Sequence, residues 1–125
     1  MKLLPLAFLL LIKGDDINSL DNLITALKIK NSEEVISHFL PEGEIIINDI
    51  SSKGNKYKLT NVLEDFYFDN EIKELKIIHR GKSENNLIYI LGEYISNHDI
   101  YKLLILIKIQ DDNYKIEKIK LDLKR

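Results

Sequence analysis

Residues 71–123 read EIKELKIIHRGKSENNLIYILGEYISNHDIYKLLILIKIQDDNYKIEKIKLDL, and their patterning decides the fold. Four runs rich in isoleucine, leucine and tyrosine are separated only by short polar turns. Residues 101–109 alternate most cleanly. Tyr101, Leu103, Ile105, Ile107 and Ile109 share one face, because successive side chains of a strand point to opposite sides. Ile72 to Arg80 and Leu87 to Ser96 supply two further strands, and Tyr114 to Leu123 a fourth. On the Ile72–Arg80 run, Leu75, Ile77 and His79 point one way; Ile72, Ile78 and Arg80 point the other. Gly92 interrupts the Leu87–Ser96 run, and an interior glycine marks a bend or bulge. In the final run Tyr114 and Ile116 hold one parity, while Ile119, Leu121 and Leu123 hold the other. A β-bulge near Glu117–Lys118 reconciles them.

Upstream the period changes. Ile17, Leu20, Leu23, Ile24 and Leu27 recur at three- and four-residue spacing and predict a helix from about Asp16 to Lys30. Asp15 or Asp16 caps its start, and Asn31 suits the left-handed residue after its end. Ser32 then caps a second helix with Glu33 and Glu34 in its first turn. Val35, Ile36, Phe39 and Leu40 make its buried face, and Pro41 ends it. Glu44 to Ile50 is a short β-branched strand, and Ser51 to Gly54 is a loop. Asn55 caps a third helix that ends near Asn70, with Leu59, Val62, Leu63, Phe66 and Tyr67 on one face. The order predicts an α+β fold: three N-terminal helices packed on a strongly bent, mainly antiparallel sheet. Leu63, Phe66, Ile77, Leu103 and Ile105 are the expected core between the third helix and the sheet.

The 125 residues make one domain, and 45% hydrophobic residues suffice to fill its core. There is no cysteine, which removes disulfides, thiolate metal sites and a cysteine nucleophile. A formal charge of −2, with lysines and acids interleaved from Lys115 to Lys124, gives no footprint for nucleic acid. Lys2 precedes ten apolar residues, Leu3 to Ile12. That run is too short to span a membrane, which takes roughly 20 residues, and reads as the core of a signal peptide. Residues 1–14 are thus a leader and 15–125 the domain, exported to the periplasm or outside the cell. Ile12 and Gly14 are the candidate cleavage residues, with Lys13 unusual between them. The competing reading is a buried hydrophobic element at the start of a cytoplasmic protein.

Four stretches carry a resemblance: Leu63-Glu64-Asp65-Phe66-Tyr67, Leu75-Lys76-Ile77-Ile78-His79-Arg80-Gly81, Tyr89-Ile90-Leu91-Gly92 and Tyr114-Lys115-Ile116. With them the chain from about Ile17 to Leu123 resembles the bacterial domain of unknown function 4783 family, of the nuclear transport factor 2-like, cystatin-like superfamily. The resemblance implies a cone in which a curved sheet wraps around the helices. It also implies an export signal. It carries over no catalytic residue, because the family has no assigned activity.

A cone of that kind can hold a pocket, and His79 is the first candidate to line it, at the same parity as Leu75 and Ile77. An imidazole there would serve as a general acid–base group. Set against it is a histidine at the sheet rim, bonded to a backbone carbonyl. Glu93 inside an apolar strand is a second candidate base if inward, and an ordinary surface carboxylate if outward. Tyr67, Ile77, His79, Tyr94 and Tyr101 are the candidate ligand-binding residues, with Tyr67 or Phe68 at a pocket mouth. His38, His79 and His98 have no metal-ligand spacing, and no glycine loop or nucleophile elbow marks a cofactor site. The expectation is a non-catalytic domain binding a small apolar ligand or a partner protein. The alternative is a small isomerase- or dehydratase-like pocket enzyme using His79. Leu104 and Leu106 lie opposite the packed face of their strand, so a homodimer through the outer sheet face is expected.

Overall fold

A computed structural model describes residues 20–125. The leader, the cap at Asp15 or Asp16 and the first turn of the first helix lie outside the described residues. Residues 20–28 are helical (α1) and bury Leu23, Ile24, Ala26 and Leu27. Lys30, not Asn31, takes the left-handed conformation, at φ 62°. The Asn31 amide then donates to the Ala26 carbonyl at 2.9 Å and the Lys30 amide to Leu27 at 3.4 Å, closing the helix end. Asn31 is thereby freed to cap α2 (Ser32–Ser37), accepting from the Glu34 amide at 3.3 Å. The expected cap, Ser32, is instead buried, and its hydroxyl has no partner among the described residues.

α2 stops at Ser37, well before Pro41. Phe39 and Leu40 belong not to the helix but to β1 (Phe39–Ile47). Pro41 is tolerated there because the ladder is broken: Phe39 pairs with Ile116, and pairing resumes only at Glu44 with Lys118. Asn48 and Asp49, both at positive φ, make a two-residue turn into β2 (Ile50–Lys53). The expected loop over Ser51–Gly54 is therefore mostly a strand. α3 (Lys56–Asp69) starts as expected on Asn55, whose side chain accepts from the Lys58 amide at 2.8 Å, and ends on Asn70.

Four strands follow: β3 (Ile72–Lys82), β4 (Leu87–Ser96), β5 (Ile100–Gln110) and β6 (Asn113–Leu123). The sheet order is β2-β1-β6-β5-β4-β3, antiparallel except for the parallel pair β1–β6. The result is an α+β fold with a bent mixed sheet. Bulges produce the bend, since an extra residue kinks a strand and sharpens its twist. The expected bulge in β6 is present: Leu106 pairs with Lys118 and Ile107 with Ile116, leaving Glu117 over. Two more lie in β3, at Lys73 and at Ile78.

The inner face carries Leu75, Ile90, Tyr94, Tyr101, Leu103, Ile105, Ile107, Ile116, Ile119 and Leu121, all buried. α3 packs on it with Leu59, Leu63, Phe66 and Tyr67. Of the five expected core residues four are buried; Ile77, beside the β3 bulge, is only partly so. Gly92 sits opposite Ile77, where a Cβ would overlap the Lys76 carbonyl oxygen, so close backbone approach explains the glycine.

Candidate functional site

The inner face holds a cluster of aromatic rings around the end of α3. Phe66 meets Tyr94 edge-on at 5.0 Å between centroids and Tyr101 at 4.9 Å. Their hydroxyls converge on Asn70: Tyr94 donates to its carbonyl oxygen and Tyr101 to its Oδ1 at 2.9 Å. Tyr67 turns the other way and donates to the Leu27 carbonyl at 2.7 Å, tying α3 to α1. All three tyrosines are at least 94% buried. Burial pushes the ionisation of all three phenols up, with Tyr94 adding to the effect at Tyr67 and Tyr101 at Tyr94. The three expected ligand-binding tyrosines thus form a structural knot whose hydroxyls are already satisfied. Asn70, its hub, was legible in the sequence only as a helix end. Phe68 points away from this cluster and is 89% exposed.

His79 is not beside Leu75 and Ile77. The bulge at Ile78 shifts the register, so Ile77 faces Gly92 while His79 faces Leu91. Parity flips at that point, and His79 joins the outer face. Its Nε2 lies 3.5 Å from the Tyr89 hydroxyl, and the rings are tilted at 5.6 Å. Tyr89 lies over Gly81, where any Cβ would overlap its ring. Tyr89, which places the only ring against His79 among the described residues, was marked in the sequence as part of a resemblance stretch and not as a site residue. Glu93 is also outward. The hydrogen bond from the Lys124 ammonium, 2.7 Å long, holds its carboxyl below the usual carboxylate range, the reverse of a buried base.

Register defines the outer face as rows of side chains. One row runs Lys53, Glu44, Lys118, Leu106, Tyr89, Gly81; the next runs Ser51, Ile46, Lys120, Leu104, Leu91, His79. Leu104 and Leu106 therefore lie side by side on this face, next to Leu91 and Tyr89. Leu91 is 40% exposed. Three nearby lysines are paired: Lys118 with Glu44 at 4.0 Å, Lys120 with Asp122 at 3.6 Å, Lys124 with Glu93. Elsewhere, a cleft of about 410 Å³ runs between α2 and α3, with Glu33, Tyr57 and Glu64 along it. Another, of about 560 Å³, opens where β1 leaves the ladder, over Phe39, Leu40 and Leu59. Among the described residues no three histidines, aspartates or glutamates are grouped to hold a metal, and no helix is long and apolar enough to cross a membrane.

The fold has solved counterparts. A domain of unknown function 4783 family protein from Bacteroides uniformis superposes with a TM-score of 0.74 at 19% identity, over 82% of this chain and 94% of that one. A cystatin-like protein of unknown function from Nostoc punctiforme gives 0.67 at 9% identity, over 90% of each chain. A de novo designed protein with a curved β-sheet gives 0.66 at 16% identity, over 87% of this chain and 97% of that one. No curated protein matches the sequence. The family model for the domain of unknown function DUF4783 matches residues 20–122, nearly the whole described domain, and the chain belongs to that family.

Proposed function

We propose that this domain is an exported, non-catalytic binding module of nuclear transport factor 2-like shape, which pairs with a second copy of itself through the outer face of its sheet. One observation carries the reading: Leu91, Leu104 and Leu106 are contiguous with Tyr89 across the registered strands β4 and β5, on the side away from the helices. Apolar residues gathered in one patch, rather than scattered singly, mark an interface. Lys118 and Lys120, which border the leucines on β6, already have acids, so that edge of the patch suits a surface without net charge, such as its own copy. A two-fold axis is the commonest way to close such a contact.

The enzyme alternative loses its support with the β3 bulge. A pocket enzyme needs an acid–base group at the bottom of a water-accessible cavity. His79 is instead on the outer face, and the inner face around Phe66 is packed with satisfied tyrosines. Light scattering at micromolar concentration tests the pairing. The wild type is expected as a dimer, and the Leu104→Lys, Leu106→Glu double variant as a folded monomer. A monomeric wild type would sink the proposal. Export rests on Lys2 and the apolar run Leu3–Ile12. N-terminal sequencing from the native host should find the chain starting near Asp15; a full-length product overturns that part.

A further inference from the structure

We propose that the cleft at the break in β1 binds a small amphipathic anion, a medium-chain carboxylate, with its head on Lys56 and Lys115 and its tail over Phe39, Leu40 and Leu59. The proposal is independent of the pairing above: none of Leu91, Leu104 and Leu106 lines this cleft.

The break itself makes the opening. Between Phe39 and Glu44, four residues of β1 stand against one residue of β6, so the two strands part. Pro41 has no amide hydrogen to offer across the gap. The floor of the opening is formed by Phe39, Leu40 and Leu59, with Pro41 beside them. Its volume, about 560 Å³, falls within the roughly 300–1,000 Å³ of sites that hold small molecules.

Charge then selects the ligand. Lys56 and Lys115 line the cleft, and no aspartate or glutamate does. Neither lysine belongs to an ion pair among the described residues, whereas Lys118, Lys120 and Lys124 nearby on β6 and after it each have a carboxylate partner. The chain as a whole is at −2, so a cleft lined by two lysines and no carboxylate departs from its surroundings. The cleft at α2–α3, which shares Lys56, has Glu33 and Glu64 in its lining, and the one at the end of α3 has Asp69, Glu71 and Asp99. An inorganic anion would leave the apolar floor unused, and a neutral hydrocarbon would leave the lysines unused. A carboxylate with an alkyl tail uses both, in the pattern of ligand sites generally: a mostly apolar lining with a few placed polar groups.

The test titrates the full chain with sodium decanoate, below the concentration at which it forms micelles, and follows binding by calorimetry and amide chemical shifts. Decanol and acetate are the comparison arms. Decanoate should bind saturably and shift the amides of Leu40, Leu59 and Lys115. Decanol and acetate should each bind at least about tenfold more weakly, since each lacks one half of the recognition. The Lys56→Glu, Lys115→Glu variant should weaken decanoate by about tenfold or more, and a Lys56→Gln, Lys115→Gln variant checks that the loss does not come from misfolding. The Leu104→Lys, Leu106→Glu variant should bind as the wild type does, which separates this site from the sheet face. Three results overturn the proposal: no saturable decanoate binding, equal affinity for decanol, or full affinity after charge reversal.

Discussion

Tyr67, Tyr94 and Tyr101 keep their hydroxyls inside the protein, and that placement sets how single residues respond to pH. Burial raises the ionisation of each phenol above its unfolded value of about 10. Above that pH the unfolded chain loses phenolic protons that the folded chain retains, so stability falls as pH rises. The contribution is complete below about pH 10 and is lost as pH climbs toward the folded values. Urea midpoints at pH 8 and pH 11 should therefore diverge, and Tyr67→Phe should narrow the divergence. At pH 8 the same variant should cost about 1–2 kcal/mol, because the Leu27 carbonyl loses its donor. Ser32 gives the opposite sign. Its buried hydroxyl lacks a partner among the described residues, and Ser32→Ala should be neutral or stabilise by up to about 1 kcal/mol in the same assay. His79→Ala should change stability by less than about 0.5 kcal/mol, and no hydrolysis, dehydration or tautomerisation should distinguish it from wild type. The sequence placed His79 on the wrong face for a definite reason. Strict alternation has no means of registering one extra residue, and Ile78 is that residue.

At the scale of elements, apolar periodicity located α3 and the four strands from β3 to β6 closely, because each buries one face continuously. It also exposed the β6 bulge, since Ile116 and Ile119 are both large, buried and of opposite parity. The bulge in β3 left no such mark: Ile77 and Ile78 are the same residue type, so either could have been the inward one. β2 was missed because Ser51, Ser52 and Lys53 look like a loop and bury little; its signal was the Asn48-Asp49 pair, suited to a tight hairpin. Pro41 misled in the same way, since a proline in a ladder gap breaks nothing. Two substitutions test the assigned faces. Phe66→Ala or Ile105→Ala should each cost about 2–5 kcal/mol in denaturant unfolding, and losses under about half a kcal/mol for both would refute the packing. Gly92→Ala should cost roughly 1–3 kcal/mol, because its methyl group meets backbone rather than a movable side chain.

The whole molecule is held together by a pairing that periodicity cannot show. Patterns tell which face of a strand is buried, not which strand lies next to it, so the parallel β1–β6 contact had no signature. Its consequence concerns the order in which the chain is made. β6 is the last strand of the fold, yet it lies between β1 and β5 in the middle of the sheet. Until it is synthesised, the β1–β2 hairpin has no neighbour and β5 has a bare edge. Non-local pairing of this kind must meet its loop-closure cost before any contact compensates for it. A chain emerging from a ribosome therefore has no finished sheet until β6 is free. A chain ending at residue 112 should accordingly be digested as fast as an unfolded polypeptide, while the full chain resists.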